Sequence, residues 1–359
     1  MSSKDVVAFL KKKPSIALSG LEKEAGIPAT YLSKAVAGNY SILDKHLEKL
    51  SPVLKDYGYK EQDGAKVMAI AQNKGGVGKT TTAINLGKAL NLMGYKVLLL
   101  DMDPQGNLTQ AFGCYRNEIG EGFHREGKDG KIARTEKQLM NAIMPEYNDG
   151  LLDTILPLGD GFHISPTDNR LDRALLSLEG NPMKGYKRLR KVIEPVKKYF
   201  DYILIDCPPT LGMLTSTSVI ASTSVLFVMQ PEPFSVAGME NLLEMIENAR
   251  DYNPDVMVEG VLFTQYRKTK LHEGYTQSLR ESVGHIRIFD TAIRLNTDLP
   301  EAVDSLMDIF EYNPKSMGAV DYRNVAVELA IADNKDIKGM EFLNSLIDEH
   351  VEYLTPESN

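Results

Sequence analysis

Residues 72–81 read QNKGGVGKTT, a glycine-rich stretch that ends in a lysine and two threonines. The standard phosphate-loop pattern, GxxxxGK(S/T), has a glycine where this chain has Asn73. The pattern requires Lys79, but it gives no role to a second lysine, Lys74. The stretch therefore predicts a nucleotide-binding loop that carries one cation more than such a loop needs.

The glycines of this loop let the backbone curl so that successive N–H groups point inward, where they can bind phosphate. The helix expected after the loop adds the positive end of its dipole. Lys79 is expected to contact the β- and γ-phosphates, and the hydroxyl of Thr80 to bind Mg²⁺. The loop residues expected to bind the nucleotide are Lys74, Gly75, Gly76, Val77, Gly78, Lys79, Thr80 and Thr81.

The segments around the loop predict an α/β fold. The apolar run VMAIAQ precedes the loop, residues 80–95 have helical spacing, and residues 96–103, KVLLLDMD, form a second apolar run. Four later runs have the continuous apolar character of buried parallel strands, and they centre near Ile164, Ile203, Phe227 and Leu262. We expect a mostly parallel sheet with helices on both faces, as in P-loop NTPases.

Composition indicates an ordinary globular chain. At 359 residues and 43% hydrophobic, it can form a large core and about two domains. No apolar run approaches the roughly 20 residues of a membrane span, and the N-terminus lacks a signal-peptide pattern, so a cytoplasmic location is expected. Cys114 and Cys207 lack metal-type spacing and are expected to be free thiols.

The net charge of −8 is unevenly distributed. Residues 1–60 carry a net charge of +4, and the remaining residues carry −12. A basic segment ahead of an acidic body suggests a module that binds nucleic acid. A solvated basic helix face is the alternative, and charge alone does not separate the two.

Residues 1–60 are predicted to form a small helix-turn-helix domain. Within residues 18–39 one helix is followed by a turn at Gly26 and by a second helix that Pro28 can start. The second helix is expected to read the major groove of DNA. Its outward residues are Ala29, Thr30, Ser33 and Lys34. The stretch resembles the phage-repressor helix-turn-helix, although Glu22 stands where that type has a small alanine; a docking or dimerisation domain is the alternative.

The expected boundaries are a helix-turn-helix domain at 1–60, a polar linker at 61–66 and an ATPase domain at 67–359. Residues 113–161 are rich in Gly, Glu and Lys, and we expect a surface insertion there with a helix around residues 136–143. Beyond Lys338 an acidic amphipathic helix is expected.

The chain resembles the ParA branch of the ParA/MinD family of ATPases in four blocks. They are KGGVGKTT at 74–81, LLLDMDPQGN at 98–107, YILIDCPPTLGMLT at 202–215 and YNPKSMGAVDY at 312–322. These blocks extend over nearly the whole body of the chain. The resemblance implies a P-loop ATPase that uses ATP and Mg²⁺.

The resemblance also implies roles for individual residues. Lys74 matches the signature lysine, which in this family reaches across an ATP-bound dimer to the partner's phosphates. Asp103 matches the residue that positions or activates the attacking water. Asp101 is expected to orient the Mg²⁺ shell or the loop. Asp103 or Asp101 could instead be a helix or turn cap, as aspartates before proline often are. Asp206 is expected to hold Mg²⁺ through water. The implied catalytic residues are Lys74, Lys79 and Asp103, and the implied metal residues are Thr80, Asp101 and Asp206.

Base and DNA contacts are implied at two further places. Asn296 aligns with the family's base-binding element, where Arg294 stands at a proline position. The ParA branch binds DNA without sequence preference, a contact that needs only reachable cations. The matching basic residues are Arg267, Lys268, Lys270 and Arg294. Residues 184–198 are a further basic candidate, with a solvated helix face as the alternative.

The resemblance implies a DNA-segregation ATPase that forms an ATP-bound homodimer on nucleoid DNA. A ParB-type centromere-binding protein is expected to stimulate slow hydrolysis, and residues 1–60 to bind an operator. A MinD-type regulator acting on membranes or cargo is the main alternative. The expected C-terminal helix argues against membranes because it is acidic, whereas a membrane-targeting helix needs a basic polar face. An iron-sulfur relative and a transcriptional regulator without ATPase activity are further alternatives.

Overall fold

The computed structural model describes residues 3–13, 16–38, 40–57, 64–144, 150–172, 182–232, 235–282 and 286–333. The chain divides into two compact units. The smaller unit comprises Met1–Asp63 with Ala332–Asp336, and the larger comprises Gly64–Ile331 with Ile337–Asn359. Hydrophobic residues pack together inside each unit, so each has a core of its own.

The smaller unit contains four helices in its described part: α1 (Ser3–Lys12), α2 (Leu18–Glu24), α3 (Tyr31–Val36) and α4 (Asp44–Asp56). Leu21, Leu32, Leu50 and Leu54 are fully buried at its centre. Gly26 lies in the turn between α2 and α3 with a φ of +60°, a conformation that glycine adopts without strain. The element order is the one expected for a helix-turn-helix.

The start of α3 differs from the expectation that Pro28 begins it. Thr30 has a left-handed φ of 64°, and the helix begins at Tyr31. Glu22 on α2 is 4% exposed, and its carboxylate accepts the N–H of Thr30 at 2.9 Å and that of Leu32 at 2.7 Å. A side chain from the preceding helix therefore caps α3, which gives a physical reason for a carboxylate where phage repressors have a small residue.

The larger unit is built on a seven-stranded sheet. Its strands are β1 (Lys66–Ala71), β2 (Val97–Asp101), β6 (Leu156–Gly159), β7 (Phe162–Ser165), β8 (Tyr202–Asp206), β9 (Ser224–Met229) and β10 (Met257–Phe263). Their order across the sheet is β10-β9-β1-β8-β2-β7-β6, and all neighbours are parallel except β6 and β7. The prediction of a mostly parallel sheet is confirmed.

Helices cover both faces of this sheet. The described helices are α5 (Lys79–Leu92), α6 (Asn107–Ala111), α7 (Leu139–Ile143), α8 (Pro182–Ile193), α9 (Met213–Ala221), α10 (Ser235–Ala249), α11 (Lys270–Ser282), α12 (Asp298–Asp304), α13 (Ile309–Tyr312) and α14 (Met317–Ala332). One core packs Ile84 of α5 and Val325 of α14 against the sheet. The opposite core packs Val219 of α9 and Leu242 of α10.

The expected surface insertion has more structure than its sequence suggested. It contains a second antiparallel sheet of β3 (Tyr115–Arg116), β4 (Phe123–Glu126) and β5 (Ile132–Arg134). The helix expected around residues 136–143 is α7, which starts only at Leu139. Gln138 is extended with a φ of −124°, and its N–H donates to the Asn141 side chain at 3.0 Å, which ends the extended chain and caps the helix.

The larger unit begins earlier than the expected domain boundary. The N–H of Ala65 donates to the carbonyl of Lys197 at 2.8 Å, and β1 starts at Lys66. Lys66 is buried and lies 2.5 Å from the Glu259 carboxylate. The last residues of the expected linker are thus packed against the sheet, whereas the acidic helix expected beyond Lys338 lies outside the described residues.

Two smaller expectations can be placed on the fold. Cys114 and Cys207 are free and buried, and burial raises the pKa of each thiol to about 12. Such thiols are protonated and inert at neutral pH. Within the described residues, none of the helices is long and apolar enough to cross a membrane.

Candidate nucleotide site

The candidate site lies where parallel strands of the large sheet end. β1, β2, β8, β9 and β10 run in the same direction, so the residues that follow them meet at the carboxyl edge. A cavity of about 760 Å³ lies there. Its lining includes Gly75 and Lys79 at one end and Asn296 and Leu299 at the other. The edge therefore brings together the expected phosphate and base residues.

The phosphate loop has the backbone geometry that its glycines predict. Gly76 has a φ of 72° and Gly78 a φ of 91°, both in the left-handed region that favours glycine. Gly78 is the N-cap residue of α5, and Lys79 opens the helix. Gly75 and Thr80 line the cavity together with these residues. The loop thus curls at a helix N-terminus that faces the cavity, where a phosphate can bind.

Lys79 points back into the loop. It is 7% exposed, and its Nζ donates to the carbonyl of Lys74 at 3.1 Å. Burial lowers the pKa of Lys79, while the nearby Asp206 carboxyl opposes that change. A bound phosphate supplies a counter-charge at this position, so the geometry fits a lysine that holds a nucleotide.

Lys74 lies differently from Lys79. Its Nζ is 2.6 Å from the carboxylate of Glu232 and 3.5 Å from the amide oxygen of Gln230. The side chains of Lys74 and Glu232 are 54% and 43% exposed. An exposed pair of this kind contributes about 0–1 kcal/mol, so the ammonium of Lys74 can leave it at little cost.

Asp206 and Thr80 fit a bound magnesium ion. The Thr80 hydroxyl donates to Asp206 Oδ2 at 2.7 Å, whereas Oδ1, fully buried, finds no hydrogen-bond donor among the described residues. Burial, and then the charge of Asp101, raise the pKa of Asp206 well above its usual value. A divalent cation would give Oδ1 a partner and favour the ionised carboxylate.

The remaining ligands of such an ion would come from outside the chain. Within the described residues no group of three or more His, Cys, Asp or Glu side chains is arranged to hold a metal. Mg²⁺ commonly takes one or two protein ligands and completes its octahedron with phosphate oxygens and water. The donor set of Thr80 and Asp206 therefore fits Mg²⁺ that arrives with a nucleotide.

Asp101 is the last residue of β2, and its carboxylate is bound by the segment that follows the strand. It is fully buried, and its Oδ2 accepts from both the N–H (2.8 Å) and the hydroxyl (2.6 Å) of Thr109. Its Oδ1 accepts from the N–H of Asp103 at 3.2 Å. Both oxygens of Asp101 thus accept hydrogen bonds from the segment after β2, an arrangement compatible with the expected role of orienting the loop or the Mg²⁺ shell. Burial raises the pKa of Asp101 to about 7.

Asp103 faces the cavity beside the phosphate loop. It is 7% exposed, and its Oδ1 accepts the N–H of Gln105 at 3.0 Å. That bond and the one from its own N–H to Asp101 hold the carboxylate in a fixed place. The position suits a group that orients a water molecule next to the terminal phosphate.

The base end of the cavity combines an amide with apolar walls. Asn296 and Tyr322 line it, and the apolar contribution comes largely from α12 and its flanks. These apolar residues are Leu295, Leu299, Pro300, Val303 and Leu306. The walls suit a flat heterocycle, and a single amide offers one donor and one acceptor to its edge.

The four expected DNA contacts of the larger unit fall into two groups. Arg267, Lys268 and Lys270 are exposed in the loop after β10 and at the start of α11. Arg294 instead lies 2.6 Å from Asp321, which holds its guanidinium by several hydrogen bonds and raises its pKa. The charge of Arg294 is thus already paired within the chain.

The other basic candidates are also placed. Within residues 184–198, Arg188 donates to the carbonyls of Ile143 and Met144, and Arg190 to that of Tyr252, so two guanidinium groups serve packing. In the smaller unit all four expected reading residues are exposed, and they are Ala29, Thr30, Ser33 and Lys34.

Three residues of the site were missed by reasoning from sequence. Thr264 donates to the carbonyl of Val77 at 2.6 Å, Gln265 to that of Gly76 at 2.6 Å, and Gln230 to the same Gly76 carbonyl at 3.5 Å. They hold the phosphate loop from the ends of β9 and β10. Their position directly after two predicted parallel strands was the available signal.

The chain is similar to known proteins over most of its length. A family model described as an AAA domain matches residues 65–258. The chromosome partitioning protein ParA of Caulobacter vibrioides is 34% identical over 272 residues, which cover 74% of this chain and 93% of ParA. The chromosome-partitioning ATPase Soj of Thermus thermophilus is 34% identical over 264 residues, 73% of this chain and 94% of Soj.

A solved structure bears on the fold alone. The septum site-determining protein MinD of Pyrococcus horikoshii, complexed with Mg-ADP, has a TM-score of 0.59 and 21% identity. The match covers 76% of this chain and 99% of MinD. The larger unit thus has the fold of a nucleotide-binding protein.

Proposed function

Because the chain belongs to the ParA family of P-loop ATPases, we propose that it is a DNA-segregation ATPase. Membership of this family makes the chain a partition or positioning ATPase in general terms. The proposal adds that ATP and Mg²⁺ assemble a homodimer, that the dimer binds DNA without sequence preference, and that a ParB-type centromere-binding protein stimulates hydrolysis. Its proposed location is the cytoplasm, in association with the nucleoid.

The placement of the two lysines carries the proposal. Lys79 is buried inside its own phosphate loop, whereas Lys74 extends to the surface, where it forms an exposed ion pair with Glu232 and a longer hydrogen bond with Gln230. A cation at the rim of a phosphate site is positioned to neutralise phosphates that belong to a neighbouring subunit. Dimerisation then depends on ATP, since without its phosphates the lysines at the two rims repel each other or have no anion to bind.

Hydrolysis follows from positioning and charge. Phosphoryl transfer needs the phosphates held in line and their charge neutralised, more than it needs a strong base. The loop N–H groups and Lys79 would hold the phosphates, Thr80 and Asp206 would hold Mg²⁺, and Asp103 would orient the water. Mg²⁺, when bound, would neutralise phosphate charge. Asp101 acts through the backbone of Asp103, which it fixes.

DNA binding is proposed at two surfaces with different chemistry. On the larger unit Arg267, Lys268 and Lys270 supply exposed cations for phosphate contacts, which carry affinity without specificity. Arg294 is left out because Asp321 already pairs with it. On the smaller unit the exposed residues of α3 and the turn before it would read an operator in the major groove.

The test compares wild-type protein with Lys74→Ala and Lys79→Ala. Sedimentation velocity measures dimer formation, and a salt-dependent gel shift on DNA of arbitrary sequence measures binding, each with ATP, with ADP and without nucleotide. We expect ATP to produce dimers and DNA binding in the wild type only. Lys79→Ala should lose ATP binding, whereas Lys74→Ala should bind ATP and stay monomeric. ATP-dependent dimers of Lys74→Ala would overturn the proposal.

The division of DNA binding between the units has its own test. A variant with Ser33→Ala and Lys34→Ala should lose operator binding and keep ATP-dependent binding to arbitrary DNA. A double variant with Arg267→Ala and Lys268→Ala should lose ATP-dependent binding to arbitrary DNA and keep operator binding. Loss of both activities in either variant would show that the two surfaces do not act separately.

A further inference from the structure

Residues 264–267 connect the phosphate loop to the exposed cations that follow β10. The chain leaves the sheet at Thr264, whose hydroxyl donates to the carbonyl of Val77 at 2.6 Å. The side-chain amide of Gln265 then donates to the carbonyl of Gly76 at 2.6 Å. Both acceptors belong to the phosphate loop, so the start of this segment is fixed to the part of the site that receives phosphates.

The next residue of the segment is bound to the base end of the cavity. The N–H of Tyr266 donates to the carbonyl of Ile293 at 3.0 Å, and the N–H of Leu295 donates to the carbonyl of Tyr266 at 2.9 Å. Tyr266 and Arg294 thus form a parallel bridge, and Leu295 lines the cavity. Two consecutive residues therefore contact both ends of the nucleotide site.

The last residue of the segment begins the basic loop. The N–H of Arg267 donates to Nδ1 of His272 in the first turn of α11 at 3.1 Å, and its carbonyl accepts from Thr269 at 2.8 Å. The side chains of Arg267 and Lys268 are exposed. The proposed DNA contacts are therefore only two or three residues away from the amide that holds the phosphate loop.

Gln265 has an unusual backbone conformation. Its φ of +50° lies in the left-handed region, which residues other than glycine, asparagine and aspartate rarely adopt. Such a conformation persists when surrounding contacts impose it, and it is frequent in switch regions. The second amide that reaches Gly76, from Gln230, does so at the longer distance of 3.5 Å. Gln265 is thus the closer support of this carbonyl.

We propose that Gln265 couples nucleotide binding to the position of the basic loop. Phosphate binding draws the loop N–H groups towards the ligand and turns the carbonyl of Gly76. The hydrogen bond from Gln265 passes this change to Tyr266, Arg267 and Lys268, so DNA affinity depends on the nucleotide. Gln265 is a positioning residue and touches no DNA. This inference rests on the proposed function and adds the route of its regulation.

The test measures the ratio of DNA affinities with and without a non-hydrolysable ATP analogue, by fluorescence anisotropy on the full chain. Gln265→Ala removes the amide, whereas Gln265→Asn keeps an amide and tolerates the left-handed conformation but is one methylene too short. Gln277→Ala is the matched control, since Gln277 is an exposed residue of α11 that bonds to Glu281. Sedimentation and fluorescent-nucleotide titration monitor dimerisation and nucleotide affinity.

We expect the ratio of DNA affinities to be at least about tenfold smaller in both Gln265 variants than in the wild type. Such a change lies within the usual range of coupling between two sites. ATP-dependent dimerisation should persist in both variants at saturating nucleotide, and Gln277→Ala should behave as wild type. By thermodynamic reciprocity, the factor by which DNA enhances nucleotide binding should fall as much as the ratio of DNA affinities does in each Gln265 variant.

Three results would overturn the inference. The Gln265 variants keep the full ratio, or Gln265→Asn keeps it while Gln265→Ala loses it, or either variant fails to dimerise with ATP. A wild-type protein whose DNA affinity does not depend on nucleotide would instead overturn the proposed function together with this inference.

Discussion

The two units of this chain differ in what lies at the N-terminus of a helix: it is open in the larger unit and capped in the smaller one. In the larger unit α5 starts at a glycine that has no side chain to cap it, and its first residues line a cavity. In the smaller unit the first turn of α3 is closed by the buried carboxylate of Glu22. Both helices offer the same unpaired N–H groups and the same positive end.

The difference shows how one physical feature serves two purposes. An open terminus next to a lysine is a site for a mobile anion, here the phosphates of ATP. A terminus closed by an internal anion offers no such site, and the cap instead fixes the angle at which α3 leaves α2.

The largest effect is expected from Asp103→Asn at the open terminus. The amide keeps the shape of the side chain but removes the charge that orients water, so turnover should fall by about 10²–10⁴. ATP binding and dimerisation should remain, because the phosphates are held by the loop and Lys79. Phosphate release measures turnover, and sedimentation measures dimerisation. Asp160→Asn, in an exposed turn, is the control, and near-normal turnover of Asp103→Asn would contradict the assignment.

The next effect concerns pH and Asp101. Because burial raises the pKa of Asp101 to about 7, above that of an unfolded carboxyl, the folded protein holds this proton more tightly. The stability that the protonated Asp101 carboxyl confers is fully present below about pH 4 and is lost as the pH rises through 7. A shift from 3.8 to about 7 corresponds to at most about 4 kcal/mol.

Calorimetry between pH 5 and 8 tests this. The transition of the larger unit should move to lower temperature as the pH rises in wild-type protein, and Asp101→Asn should make that decline shallower. Thr109→Val, which removes one donor to the carboxylate, should leave the decline in place. Equal pH dependence of wild type and Asp101→Asn would show that Asp101 does not titrate in this window.

A smaller effect is expected from opening the closed terminus. Glu22→Ala leaves the N–H groups of Thr30 and Leu32 without their acceptor, which should destabilise the smaller unit by about 1–3 kcal/mol. Glu22→Gln keeps one acceptor oxygen and should cost less. Hydrogen exchange at these two amides and calorimetry measure the change, with exposed Glu48→Gln as the control.

DNA binding sharpens the same comparison. Glu22→Gln should weaken operator binding while ATP-dependent binding to arbitrary DNA stays normal, because only the angle of α3 changes. Unchanged exchange rates at Thr30 and Leu32 in Glu22→Ala would contradict the capping role.

Sequence reasoning succeeded where a feature depends on neighbouring residues in the chain. The strands that carry the site are continuous apolar runs, and the phosphate loop is set by its own glycines, so both were predicted. The strands β3, β4, β5 and β6 were missed, because they are short and partly exposed and lack such runs; Ile132 of β5, for example, is 52% exposed.

Features that depend on distant residues were the ones missed or left open. The start of α3 depends on Glu22, eight residues before Thr30, and the role of Asp101 depends on Thr109. The pairing of Arg294 with Asp321, 27 residues later in the chain, was not visible in the sequence either. The position of Gln265 directly after β10 places it at the carboxyl edge of the sheet, but its contact with Gly76 joins residues far apart in the chain and did not follow from the sequence.

Mixing Lys74→Ala with Lys79→Ala protein tests most directly whether Lys74 serves the nucleotide of the other subunit. In a mixed dimer the Lys74→Ala subunit keeps its own Lys79 and receives Lys74 from its partner, so one of the two sites is complete. Because neither variant dimerises alone, an equimolar mixture should form mixed dimers with one complete site of two and recover up to about one half of wild-type ATP turnover, while each variant alone stays inactive. No recovery on mixing, with mixed dimers present, would contradict the account.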